Sequence, residues 1–328
     1  MSNPTAQTFD PNKAQRFASA FIAIRDNMQT VIRGKPRLVE DTLLCLLSGG
    51  HILVEDVPGL GKTLLAKALG ASIGANLGRI QFTPDLLPAD VTGVNIWNRE
   101  NSTFEFRPGP IFTELVLADE INRAAPKTQS ALLEAMAEGQ VTVDGRTHKL
   151  PDPFMVVATQ NPVEQEGTYP LPESQLDRFQ LKVSVGYPSR EDELAVLQTH
   201  ERDDVVEKLQ PVASMSDIMK MSQMVNGVEI APALRNYIVS LAAATRNHSA
   251  ISLGVSPRGT LSLQKIARAR AASQARTFVI DDDIKSAAVG VMAHRIILTP
   301  EAQLQSATPE SVINHVLQSI PVPNARMK

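Results

Sequence analysis

The sequence predicts an α/β domain, a parallel sheet sandwiched between helices, followed by a second domain made of helices alone. Three stretches carry this expectation. His51–Thr63, HILVEDVPGLGKT, passes from a short apolar strand through a Pro-Gly-x-Gly turn to Lys-Thr and then a helical run over Leu64–Ile73. Leu115–Glu120, LVLADE, is four apolar residues ending in two carboxylates, the pattern of a buried parallel strand whose last residues reach the sheet edge. From Pro188 onward the chain becomes Ala-, Leu- and Met-rich, with helical spacing and no strong strand pattern.

Strand, glycine loop and helix, in that order, form the context that a phosphate-binding loop requires. The backbone N–H groups of Gly59, Leu60, Gly61, Lys62 and Thr63 can curl around phosphate oxygens, and the helix N-terminus adds positive charge at the same place. Lys62 would reach the β- and γ-phosphates, and the Thr63 hydroxyl would ligate Mg²⁺. The first glycine of the general pattern falls on Asp56, a residue type that tolerates left-handed backbone. Its carboxylate and that of Glu55 must point away from a triphosphate. At the carboxyl edge of the second strand, where open α/β sheets bind ligands, Asp119 would hold Mg²⁺ and Glu120 would take a proton from the attacking water. A further apolar strand, Phe154–Thr159, ends in Gln160-Asn161-Pro162. An amide there can orient the water or touch the γ-phosphate; the plainer alternative is a turn-forming Asn before Pro.

Composition narrows the classes. Among 328 residues, Lys+Arg 32 nearly balances Asp+Glu 35, so no basic nucleic-acid footprint stands out. Aromatic content of 4% leaves little for base stacking. The first ten residues, MSNPTAQTFD, have no apolar core of a secretory signal, and no apolar run is long enough to span a bilayer. The single cysteine, Cys45, sits in an apolar helical stretch and reads as core, so a cytoplasmic protein without disulfides is expected.

In chain order, residues 1–12 read as a flexible arm. Phe17, Ala20, Phe21, Ile24, Met28, Val31 and Ile32 recur at helical spacing over 13–32. A second helix over Arg37–Ser48 closes at Gly49-Gly50, and Arg79–Phe82 is a short strand. Thr83–Pro110, rich in Pro and Gly, reads as a hairpin-like insertion or a plain surface loop. Pro126–Glu138 is an amphipathic helix. Val141–Lys149 alternates around Asp144-Gly145, a strong hairpin signal, with Arg146, His148 and Lys149 expected at an exposed tip. That tip is either a moving loop that grips a partner or a solvated hairpin. No Cys or second His lies at ligand spacing from His148, which argues against a metal site there. Pro172–Phe179 is a short helix with Arg178 near its end, and Leu181–Val185 is a last strand. The domain border falls at 187/188. The helices beyond it are expected at Arg190–His200, Ser216–Val225, Ala231–Asn247, Pro257–Ala275, Asp282–Arg295 and Glu310–Gln318. Ser256 suits an N-cap and Pro257 the first turn, which leaves Arg258 where the helix dipole disfavours a cation. An anion from elsewhere would explain that placement.

The order of these motifs resembles the AAA+ ATPases, and within them the MoxR family. DEINRA (119–124), KTQSALLEAMAEGQVTV (127–143), ATQNPVEQEGTYPLPE (158–173) and QLDRF (175–179) look like MoxR signatures, and the likeness runs from about Val31 to Arg295. The resemblance implies a P-loop NTPase fold, a parallel αβα sandwich with a C-terminal all-helical lid. Thr83–Pro110 would contain the helix-2 insert and Val141–Lys149 the pre-sensor-1 hairpin. Asn161 matches sensor 1, Arg258 sensor 2, and Arg178 the arginine finger that enters a neighbouring subunit's site. Val31, Ile32 and Gly34 lie where the family lines the adenine pocket, and Val57, Pro58 and Leu64 flank the phosphate loop. The implied protein binds ATP and Mg²⁺, forms a ring, usually a hexamer, and remodels or matures a client protein with a von Willebrand factor A domain partner. Two alternatives stay open at this point: a nucleotide-gated scaffold with incidental hydrolysis, and a nucleic-acid-stimulated motor.

Overall fold

The computed structural model describes residues 9–55, 62–161, 167–187, 190–191 and 208–323. Asp56, Val57, Pro58, Gly59, Leu60 and Gly61 of the expected phosphate loop, and 192–200 of the helix expected from Arg190, lie outside the described residues. Helices α1 (Pro11–Gln29) and α2 (Pro36–Leu47) lead into β1 (Ile52–Glu55), α3 (Lys62–Ile73) and β2 (Leu77–Gln81). A short helix α4 (Pro88–Thr92) and a hairpin of β3 (Gly93–Asn98) and β4 (Thr103–Pro108) precede β5 (Leu115–Asp119). Then come α5 (Pro126–Glu138), a hairpin of β6 (Gln140–Val143) and β7 (Arg146–Lys149), β8 (Met155–Gln160), α6 (Glu173–Leu176) and β9 (Leu181–Val183). The C-terminal part carries α7 (Met215–Asn226), α8 (Pro232–Arg246), β10 (Ile251–Leu253), α9 (Pro257–Ser273), α10 (Asp281–Met292), β11 (Ile297–Leu298), α11 (Pro300–Leu304) and α12 (Pro309–Ser319).

The central sheet has the order β2-β5-β8-β1-β9, with every pair parallel. The chain leaves β1 for the far edge at β2, returns through β5 and β8, and passes β1 again to reach β9. The carboxyl ends of β1, β8 and β5 are therefore adjacent, beside the point where the winding reverses. Alternate side chains feed two cores. Ile52, Val54, Leu115, Leu117, Met155 and Val157 face α1, α2, α3 and the helical lid. Leu53, Val116, Ala118, Val156 and Ala158 face α5 and the second hairpin. Burial on both faces explains the continuous apolar runs that marked these strands in the sequence, each Val, Leu or Ile contributing about 1.5–3 kcal/mol. Cys45, on α2, is fully buried, and burial pushes its thiol well above the ordinary range.

The lid is helical and also carries a ribbon in which β10 pairs antiparallel with β11. These strands are too short to leave an alternating pattern in the sequence. The expectation of a flexible arm is corrected for residues 9–12. Phe9 is buried edge-on against Phe17, at 6.3 Å between centroids, and Asp10 caps α1 by accepting from the Lys13 N–H. Burial of the ring and the cap at Asp10 offset part of the cost of ordering these residues.

In the β6–β7 hairpin both turn residues have positive φ, +48° at Asp144 and +77° at Gly145, as a two-residue turn of this hand requires. The expectation for His148 is corrected. It lies opposite the buried Val141 in the ladder and shares that inward face. Its ring stacks on Phe106 of β4 at 3.8 Å, and Asn95 donates to Asp144 at 2.7 Å, so the two hairpins are fastened together. Toward its tip the first hairpin leaves Ile96, Trp97 and Phe104 exposed, the latter two paired edge-on.

Candidate active site

Three adjacent strand ends and one helix start bring Lys62, Thr63, Asp119, Glu120 and Asn161 to one edge of the sheet. Lys62 opens α3; its side chain is buried and its ammonium donates to the Gln160 carbonyl at 3.3 Å, at the end of β8. Thr63 and Leu64 follow, both half-buried. Glu55, at the end of β1, is turned sideways along the sheet edge: it accepts from the Gln160 amide and pairs with Lys182 of β9. That arrangement disposes of a carboxylate which would otherwise oppose a triphosphate.

Asp119 and Glu120 part company at the end of β5. Asp119 is buried, accepting from the Thr159 hydroxyl at 2.7 Å and from Arg79 at 2.9 Å. The same Thr159 oxygen accepts from the Glu120 N–H at 2.9 Å, so one hydroxyl on β8 fixes both carboxylate residues. Glu120 adopts left-handed backbone, φ +56° and ψ +49°. For a non-glycine residue this costs roughly 1–2 kcal/mol, and such strain concentrates at functional sites. It swings the carboxylate away from Asp119 into a more open position, where one oxygen accepts from Gln81 at 2.8 Å and from Arg123 at 3.0 Å. Asn161 follows β8 and is buried; its backbone carbonyl accepts from Asn122 at 3.3 Å.

Arg178 and Arg258 stand apart from this cluster. Arg178 follows α6 and donates to the Leu133 carbonyl of α5. Arg258 is the second residue of α9 and is exposed; Ser256 caps that helix by accepting from the Gly259 N–H at 3.2 Å. Among the described residues the Arg258 side chain makes no hydrogen bond or ion pair. Val31, Ile32 and Gly34 form the turn between α1 and α2, beside the segment after β9, where Lys35 donates to the Tyr187 carbonyl at 2.7 Å.

Sequence reasoning missed Arg79, Gln81, Arg123 and Thr159. Arg79 and Gln81 alternate along β2, but only the adjacency of β2 and β5 reveals their relevance. The oxygen donors fit Mg²⁺, a hard cation usually held by one or two protein oxygens plus substrate phosphates. Asp119 has lone pairs beyond the two hydrogen bonds it accepts. Among the described residues no cluster of three or more His, Cys, Asp or Glu forms a separate metal site.

A family model described as "ATPase family associated with various cellular activities (AAA)" matches residues 51–181, and one described as "AAA lid domain" matches 243–316. "Chaperone MoxR1" of Mycobacterium tuberculosis is 40% identical over 305 residues, 90% of this chain and 80% of that one. The chain belongs to the MoxR family of AAA+ ATPases. Another relative, the uncharacterized protein YeaC of Bacillus subtilis, is 50% identical over 301 residues, 92% of this chain and 94% of its own. The crystal structure of a protein from Cytophaga hutchinsonii assigned as an ATPase superposes with a TM-score of 0.89 at 38% identity, covering 95% of this chain and 98% of that one. The AAA match begins just before β1 and ends within β9, so it spans the MoxR-family sheet and every strand end described above. Among the described residues no helix is long and apolar enough to cross a membrane.

Proposed function

We propose that this MoxR-family protein hydrolyses ATP and couples the hydrolysis to remodelling, maturation or activation of a client protein. The observation that supports this most is the arrangement Lys62, Asp119–Thr159–Glu120 and Asn161 around three adjacent strand ends. Lys62 and the N–H groups of 59–63 hold the phosphates. Thr63 and Asp119 would hold Mg²⁺, which neutralises charge on the β- and γ-phosphate oxygens when bound. Glu120 takes the proton of the attacking water, and for that its carboxylate turns from Gln81 toward the γ-phosphate. Asn161 orients the water. Arg258 reaches the nucleotide from the lid, and Val31, Ile32 and Gly34 line the adenine.

Arg178 serves the site of a neighbouring subunit, which makes the working form a ring, in this reading a hexamer. Its tether to Leu133, with no hydrogen bond or ion pair to its own Asp119 or Glu120 among the described residues, supports a role in trans. Residues 13–187 then form the ATPase domain, with the helix-2 insert at about 83–110 and the pre-sensor-1 hairpin at about 141–149, and 188–328 form the lid. The client and a von Willebrand factor A domain partner follow from the family likeness, as does a cytoplasmic location. The M. tuberculosis relative is named a chaperone, which points the same way.

The test is ATP turnover per subunit against protein concentration, with Glu120→Gln as control. Turnover should rise steeply as subunits assemble, and Glu120→Gln should bind ATP while losing on the order of 10²-fold in rate. Undiminished hydrolysis by Glu120→Gln, or full turnover from a species that sizing shows to be monomeric, would overturn the reading.

A further inference from the structure

The segment that carries Arg178 is held by the ATPase domain, where Arg178 reaches the Leu133 carbonyl and Phe179 is buried, and also by the lid. Ser256 donates its hydroxyl to both carboxylate oxygens of Asp177, at 2.9 and 3.0 Å, while capping α9. Arg295, whose side chain is 1% exposed, donates to the same carboxylate at 2.8 Å. The Arg295 guanidinium also reaches the backbone carbonyls of Asp177 (3.2 Å), Phe179 (2.6 Å) and Gln180 (3.3 Å). His294 bonds the Phe179 carbonyl as well, at 3.0 Å. So the residue before Arg178 and the two after it all take hydrogen bonds from the end of α10 and its continuation. Helix α6, which precedes them, is four residues long and too short to be rigid by itself. Ser256 and Arg258 lie on the same first turn of α9. A shift of that turn as Arg258 meets or leaves a nucleotide is therefore delivered to the Asp177 carboxylate.

We propose that Asp177 is a positioning residue that links the lid of a subunit to its own Arg178, so that the state of one nucleotide site sets the arginine offered to the next. This rests on the readings of Arg178 as acting in trans and of Arg258 as meeting the nucleotide.

Mixed assemblies separate the two ideas. Arg178→Ala subunits keep a complete site but supply no arginine; Glu120→Gln subunits bind ATP with almost no turnover and still supply one. Their mixture should hydrolyse ATP only across subunit boundaries. The decisive donor is Glu120→Gln with Ser256→Asp. Aspartate caps a helix about as well as serine, but it sets a second carboxylate against Asp177. The donor's own site contributes almost no turnover, so a loss in the mixture with assembly unchanged by sizing acts through Arg178. Turnover should fall by roughly tenfold to a hundredfold relative to the plain Glu120→Gln donor. Ser256→Thr in the same donor, which keeps hydroxyl and cap, should restore it. Should the aspartate donor fail to fold, Ser256→Gly removes the hydroxyl at little cost in capping, and a several-fold loss is expected. Equal rescue by donors with and without the Ser256 change overturns the coupling alone. No rescue by plain Glu120→Gln overturns the assignment in trans, and the coupling with it.

Discussion

The side-chain amide of Gln81 donates to the carboxylate of Glu120 at 2.8 Å, linking the last residue of β2 to the residue that follows β5. Arg123 donates to the same oxygen at 3.0 Å. Both bonds hold the carboxylate on the β2 side, and the Gln81 bond must loosen before it can turn toward a bound nucleotide. Such an exposed bond is worth about 0.5–1.5 kcal/mol. Gln81→Ala is accordingly expected to raise ATP turnover by roughly two- to tenfold with little change in ATP affinity. Steady-state kinetics against ATP concentration check this.

Thr159 supplies one oxygen to two tasks, donating to Asp119 and accepting from the Glu120 backbone. Valine keeps the shape and removes the oxygen, leaving a buried carboxylate and a strained N–H each short of a partner. Thr159→Val should lose about 1–3 kcal/mol of stability, read by denaturant melts, and should need more Mg²⁺ for half-maximal turnover.

His51 is buried between Met136 and Val156. Its Nδ1 accepts from the Val156 N–H at 3.0 Å, so Nε2 carries the proton and donates to the Met136 carbonyl at 3.1 Å. Burial lowers its pKa from 6.5 to about 4. Between those values the unfolded chain takes up a proton that the folded protein refuses, so acid favours unfolding. Stability should be complete above about pH 6.5 and decline as pH falls toward 4, by up to roughly 3 kcal/mol from this residue. His294, also lowered well below its ordinary value by burial first and by the neighbouring Arg295 second, adds in the same direction. Denaturant melts from pH 7 to 4.5 should slope less in His51→Gln than in the parent.

The stack of His148 on Phe106 couples the two hairpins. Phe106→Ala should cost about 0.5–1.5 kcal/mol at this contact. Amide exchange should quicken in 140–149 while the central sheet is unchanged.

Much of this architecture was legible in the chain itself. Ile52–Glu55 and Leu115–Asp119 announced themselves because strands buried on both faces are continuous apolar runs, and Asp144-Gly145 because few residue pairs accept two positive φ angles. Lys62, Asp119 and Glu120 could be named because phosphate and metal chemistry restrict residue type and spacing. What escaped depends on pairs remote in sequence. Arg79 and Gln81 matter only because β2 lies beside β5, and Asp177 only because Arg295, 118 positions later, reaches it. Phe9 and His148 were misjudged because polar neighbours in sequence said nothing of the aromatic rings that cover them.

The burial of Cys45 has a practical corollary. A thiol with no solvent access and a raised pKa holds almost no thiolate at neutral pH, so maleimides and mild oxidants pass it by. Because it is the chain's single cysteine, a second one placed on the surface of the lid becomes the sole site for a fluorophore. Whether α9 moves against Asp177 when nucleotide binds can then be followed optically in the otherwise native protein.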